Sequence, residues 1–312
     1  MCPHGKDEKP FGTRVRGRLE AAAAGAALLL AGVYGAFVRT ATGQRWENAV
    51  LAGRREDETL AAARAANGVL DHITLSSLGA AVAVLLLIGL ARRRSALTVA
   101  AVGTVGVSLL LAEVLKRYVL PRPDLVNAPE RRLLGNSFPS GHTTIAMSVL
   151  FGLTLVVPYR WRGVAVGVCA LWATFVGAYT VAAGWHRPSD TIGADLLVLA
   201  VACALTALLA RSGRVRPVAD RPRPLRALFV IAPLCGVALA GLGCGTVLLV
   251  DSMFRLPPGD PAVPRLAYAG GHVLAAGASA AVTLVLLALL HRVDLDRPRE
   301  PATHESPHKR GL

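Results

Sequence analysis

Two histidines, His142 and His186, stand in short polar runs at the ends of strongly apolar stretches. The first run is Ser137-Phe138-Pro139-Ser140-Gly141-His142, and the second is Gly184-Trp185-His186-Arg187-Pro188-Ser189-Asp190. A third, from Lys116 to Pro123, lies upstream and carries Lys116 and Arg122. Together they supply cations and N–H donors for a phosphate, a nitrogen nucleophile and an acid for a leaving group. Those are the groups that phosphoryl transfer without a metal requires. Ser140 and Gly141 open a helix, where free N–H groups and the dipole favour an anion. Glycine there lets the backbone approach a phosphate closely. Lys116 and Arg122 bring fixed positive charge, and an arginine grips two phosphate oxygens at once. Asp190 follows His186 by four residues. Its carboxylate is suited to accept one ring N–H, leaving the other nitrogen to attack phosphorus. His142 is then the group to protonate the leaving oxygen. Taken singly, each residue also reads as an interfacial polar group, a turn or a membrane anchor. Their coincidence is what favours a site.

The elements that must position these groups are membrane helices. Of 312 residues, 53% are hydrophobic and only 17% charged, against roughly 25% in soluble domains. The apolar mass is Ala, Leu, Val and Gly, which suits closely packed helices in lipid. The net charge of +14 lies between apolar stretches rather than on one face. It reads as a topology signal and not as nucleic-acid binding. The five cysteines, Cys2, Cys169, Cys203, Cys235 and Cys244, have no metal-ligand spacing. Four of them sit in apolar stretches and read as small buried hydrophobes. No metal and no cofactor is implied.

Eight stretches approach the roughly 20 residues that span a bilayer. They run about 19–39, 73–91, 97–120, 140–158, 164–184, 190–210, 227–250 and 267–291. The first is long and without a clean cleavage site, so it reads as an uncleaved anchor. With the N-terminus inside, the inner segments hold 21 of the 34 Lys and Arg. Of the 13 outside, six lie in or beside the polar runs. Both termini are therefore expected in the cytoplasm. In this orientation all three polar runs fall at the outer face of the cell membrane, as a shared site demands. Residues 40–72 form an outer connection, and Ala49 to Leu70 reads as an amphipathic helix lying on the membrane surface.

The expected organisation is an all-α, multipass bundle. A basic cytoplasmic tail (1–18) precedes a six-helix core (19–210). An extended Arg/Pro-rich linker (211–226) leads to two additional helices (227–291) and a disordered tail (292–312). Glycines in the last two helices read as close helix packing.

At this point the residues resemble a known family, the type 2 phosphatidic acid phosphatases or lipid phosphate phosphatases. Its pattern is Lys-x6-Arg-Pro, then Pro-Ser-Gly-His, then Ser-Arg-x5-His-x3-Asp. Pro139-Ser140-Gly141-His142 matches the second element, and His186-x3-Asp190 the end of the third. The resemblance covers the six-helix core. It implies His186 as a nucleophile that forms a phosphohistidine, Asp190 as its orienting partner and His142 as general acid. It implies phosphate binding by Lys116, Arg122, Ser140 and Gly141. Two departures stand out. Lys116 and Arg122 are separated by five residues rather than six. Thr180, preceded by Tyr179, occupies the place of the family's arginine. Arg187, Arg131 and Arg132 are the candidates to supply the missing cation.

The expected function is removal of a phosphate or diphosphate from a lipid at the outer face. Polyprenyl diphosphate, as in cell-wall carrier recycling, phosphatidic acid and phosphatidylglycerol phosphate are the candidate substrates. Two rivals are a lipid phosphotransferase of the same fold and a non-catalytic protein that binds lipid phosphate. The expected partners are a lipid phosphate and the bilayer, with oligomeric state left open.

Overall fold

A computed structural model describes residues 10–56, 67–68, 70–126, 135–218, 227–257 and 259–295. Nine α-helices account for most of them: α1 (Phe11–Val33), α2 (Ala41–Glu56), α3 (Leu75–Ala91), α4 (Ser95–Val114), α5 (Gly141–Val156), α6 (Tyr159–Ala182), α7 (Pro188–Arg211), α8 (Ala232–Val250) and α9 (Ala262–Leu289). Wider π turns extend α1 over Tyr34–Val38 and α4 over Leu115–Val119. Two more flank α8, at Ala227–Ile231 and Asp251–Arg255.

Each of the eight expected apolar stretches is helical. Six are long and apolar enough to cross a membrane. The other two, α3 and α5, have 17 and 16 residues. At 1.5 Å per residue they reach only about 24–26 Å, short of a hydrocarbon core of roughly 30 Å. For α5 the cause is local. Ser140 caps the helix, its hydroxyl accepting the N–H of Thr143 at 3.3 Å. The chain before it is a polar loop rather than another helical turn.

Helix α7 is the centre of the bundle. It packs against α1, α4, α5 and α9, and it carries the largest buried share of the apolar helices. Helix α9 is not an appendage. It packs on α2, α6 and α7, while α8 rests on α9. The contacts are close because the residues are small. A Cβ on Gly241 would lie 2.6 Å from Gly277 Cα, and one on Gly245 2.8 Å from Leu274 Cβ. Such approach provides the dispersion contacts that hold helices together in lipid, where apolar burial gives little net drive. A polar tie adds to them: Ser279 of α9 donates to the buried Asp195 of α7 at 2.8 Å.

Three expectations need correction. The helix of the first apolar stretch begins at Phe11, not near residue 19, and buries Val15 and Leu19. The linker and the tail meet: Arg216–Pro217 pair antiparallel with Val293–Asp294. The buried Arg162 supports that pairing by donating to the Val293 carbonyl at 3.1 Å. Residues 219–226 of the linker and 296–312 of the tail lie outside the described residues. Of the expected surface helix Ala49 to Leu70, residues 57–66 and 69 lie outside the described residues, and its start, at the end of α2, is buried rather than on the surface. Trp46 and Val50 are buried, and a Cβ on Gly53 would meet the Pro264 carbonyl oxygen at 2.1 Å. Its amphipathic pattern reflects one face turned to α9 and another to the loop after α4. Cys244 also departs from expectation, being exposed on α8.

The basic segments gather at one end of the bundle. There the start of α1 lies against the end of α7, with Gly12 beside the Ala210 carbonyl. Arg92, after α3, donates to the Val156 carbonyl at the end of α5. The three polar runs lie at the opposite end.

Candidate active site

Two loops and three helix ends build the site. The loop from Gly135 to Pro139 is pinned to the end of α4 by Asn136. Its amide donates to the carbonyls of Lys116 at 2.8 Å and Leu120 at 2.7 Å. The same loop delivers Ser140 to the start of α5. The Ser140 N–H donates to the Asp190 carbonyl at 2.9 Å, tying α5 to the first turn of α7. The turn between α6 and α7 passes through Gly184, whose φ of +72° a side chain would strain. The Thr180 carbonyl then accepts the N–H groups of Trp185 and His186, each at 3.0 Å. Pro188 begins α7 in the position where a missing N–H costs nothing.

His142 and His186 come together with ring centroids 5.9 Å apart. Trp185 packs edge-on against His142 at 5.1 Å. His186 Nδ1 lies 3.4 Å from Asp190 Oδ2, long for a closed hydrogen bond, and Nδ1 has no nearer partner among the described residues. Asp190 is fixed more tightly by other groups. The same Oδ2 accepts the Arg187 N–H at 2.9 Å and the Ser137 hydroxyl at 2.5 Å. The carboxylate is therefore held in place whether or not the imidazole is drawn in. Lys116 reaches the start of α5, with Nζ 4.0 Å from where a Gly141 Cβ would stand. Glu113 pairs with Lys116 at 3.2 Å and with Arg117 at 2.9 Å, the helical pairing expected at these spacings. The helix carrying Lys116 widens into a π turn and ends, with the Leu120 N–H on the Leu115 carbonyl at 2.8 Å. This is where the shortened Lys–Arg spacing falls.

Two further cations are buried and paired within the protein. Arg122 is buried and paired with Glu47 of α2 at 2.9 Å. Arg187 is also buried, and its guanidinium donates to Ser137 Oγ at 3.1 Å and to the Gly135 carbonyl at 3.3 Å. Burial lowers its pKa, and the charge of Asp190 works against that shift. Arg187 thus braces the loop and Asp190. Arg131 and Arg132 lie outside the described residues. Thr180 turns away from the site into the packing of α6 on α7. Its hydroxyl bonds the Gly177 carbonyl at 2.9 Å and meets Thr191 Oγ1 at 3.2 Å.

Sequence reasoning missed Glu47 and gave Ser137 no role. Ser137 was within reach, since it lies in the same run as His142. Glu47 was not, because an acid in a polar connection reads as solvated until the helix carrying it is seen to be buried.

Residues 97–216 match the model of the PAP2 superfamily. The match spans α4 to α7 and so holds Lys116, Arg122, Ser140, Gly141, His142, His186 and Asp190. In this segment the chain is similar to the PAP2 superfamily. The chain is 31% identical over 105 residues to phosphatidylglycerophosphatase B of Escherichia coli and of Shigella flexneri. That stretch is 33% of this chain and 41% of each relative, so the chain spans less than half the length of the curated relatives it matches. No solved structure gives a significant match. Helices α1, α2, α3, α8 and α9 lie outside the PAP2 segment, and Glu47 with them.

Proposed function

We propose that this protein is a lipid phosphatase that uses His186 as its nucleophile. The observation that carries the reading is the convergence of His142, His186, Asp190 and Lys116 at one end of the bundle, on elements 70 residues apart in the chain. Asp190 sets the imidazole by accepting from Nδ1, which leaves Nε2 to attack phosphorus. The P–O bond to the lipid breaks as a P–N bond forms, and His142 gives its proton to the leaving oxygen. Water then attacks the phosphorus, surrenders a proton to His142 and releases phosphate from His186. Lys116, the α5 N-terminus and Arg122 balance the charge that builds on the phosphoryl oxygens.

The substrate class follows from the setting. The site ends a bundle of apolar helices, and α5 starts short, so the phosphate group would be met near the level of lipid headgroups. The name of the relatives adds support for phosphatidylglycerol phosphate among the substrates to test, beside phosphatidic acid and a polyprenyl diphosphate. Purified protein in detergent should release inorganic phosphate from at least one of these. EDTA should not reduce the rate, because the charge-balancing groups are side-chain cations and backbone N–H groups. Loss of activity on chelation, restored by a divalent ion, would refute the metal-free mechanism.

We further propose that the site faces outward and both termini face the cytoplasm, as the excess of Lys and Arg at the opposite end supports. Leu125→Cys and Ser212→Cys, scored against the unsubstituted chain, test this. In intact cells a membrane-impermeant thiol reagent should label Leu125→Cys and spare Ser212→Cys. The reverse pattern would invert the topology.

A further inference from the structure

Arg122 and Glu47 form a charge pair that the PAP2 segment does not contain on its own. Glu47 is fully buried, with Oε2 2.9 Å from Arg122 Nη2. Burial pushes its carboxyl above the usual carboxylate range, and the Arg122 charge opposes that push. Asp190 and Arg187 lie within electrostatic reach of the same carboxylate. The Ser189 hydroxyl is buried and faces the same carboxylate, which it helps to keep charged. The other arm of the guanidinium, Arg122 Nη1, is buried and has no partner among the described residues. The Arg122 side chain is only 3% exposed, so water does not readily serve it. A buried donor left unmet costs about 1–3 kcal/mol, which marks it as a place where something else binds.

The segment around Arg122 is held in place from α1 and α2. Tyr34 donates to the Pro121 carbonyl at 2.6 Å, and the Gln44 amide donates to the Pro123 carbonyl at 2.7 Å. Gln44 Oε1 accepts the Leu125 N–H at 3.3 Å. Gln44 and Glu47 are three apart and share one face of α2. One turn beyond Glu47, α2 is pressed by α9. A Cβ on Gly271 would meet Val50 at 3.0 Å and Pro188, the first residue of α7, at 2.9 Å. Helix α9 therefore wedges α2 against the start of the helix that carries Asp190.

We propose that Glu47 is a positioning residue that aims Arg122 at the phosphate, with Nη2 held by the carboxylate and Nη1 left to bond a phosphoryl oxygen. This rests on the phosphatase reading and adds a role for helices outside the PAP2 segment: α9 braces α2, and α2 aims the arginine. An arginine on a loop loses binding energy to its own freedom; one gripped at Nη2 presents the other arm ready-made.

The test uses the full-length protein in detergent with two readouts. One is kcat/KM on short-chain phosphatidic acid, and the other is the affinity for inorganic phosphate measured by calorimetry. Glu47→Ala should lower kcat/KM about 100-fold, the scale of a misplaced catalytic contact. Glu47→Gln keeps the size and one acceptor but not the charge, and should lose about tenfold. Phosphate affinity should fall in the same order. In an Arg122→Ala background neither change should cost more than about threefold, because Glu47 acts through Arg122. Glu47→Gln carries the test if Glu47→Ala does not fold. Wild-type values in Glu47→Gln by both readouts would overturn the proposal. So would an equal loss with Arg122 present and absent, since that marks a merely structural role. A wild type that turns over no lipid phosphate defeats the phosphatase reading instead, and phosphate affinity alone then decides the role of Glu47.

Discussion

Alanine in place of His186 should abolish turnover, a fall of about 10⁴-fold or more, the range seen when a nucleophile is removed. Among the described residues at this end of the bundle, His186 is the nitrogen with both an orienting carboxylate and a second imidazole nearby. The protein should still fold. His186 Nδ1 makes no closed hydrogen bond among the described residues, and its neighbours are anchored independently: Asp190 by Arg187 and Ser137, Trp185 through its N–H on Thr180. The check is phosphate release beside a thermal melt, with an unchanged melt and no product as the expected pair. Residual turnover above about 1% of wild type would point to another nucleophile.

His142→Ala should cost about 10²–10⁴-fold on a lipid phosphate, the usual contribution of a positioned acid. The loss should shrink on an aryl phosphate, whose phenolate leaves with little help from a proton. His142 lies 5.9 Å from His186 between ring centroids, near enough for one phosphoryl group to bridge them. It sits in the first turn of α5, behind the cap formed by Ser140. The measurement is kcat/KM for wild type and variant across a series of leaving groups. Equal loss for good and poor leaving groups would remove His142 from the acid's role.

What was legible in the sequence follows from how local each signal is. Pro139-Ser140-Gly141-His142 is a loop running into a helix, so its geometry is set by its own residues. His186 and Asp190 are four apart at a helix start, and that spacing alone brings them within reach. Alternation of helix direction then placed all three polar runs at one end, and the structure agrees. Other features depend on contacts distant in sequence and left no local mark. Arg122 meets Glu47 from 75 residues away. The end of α2, from Ala49, read as the start of a surface helix because its buried partner, α9, comes more than 200 residues later. Arg187 was a candidate to replace the cation lost at Thr180. Its place beside Ser137, Gly135 and Asp190 makes it instead a brace, which nothing in the Arg-Pro pair foretold. Span lengths were overestimated at α3 and α5, where hydropathy ran on past the caps.

The phosphorylated intermediate tests the central claim most directly. Protein mixed with a lipid phosphate labelled at phosphorus and quenched within a turnover should carry the label on His186. That bond should be acid-labile and stable in base, as a P–N bond is, and His186→Ala should carry no label. Turnover that leaves the label on another residue, or on none under conditions where His142→Ala accumulates none either, would contradict the account.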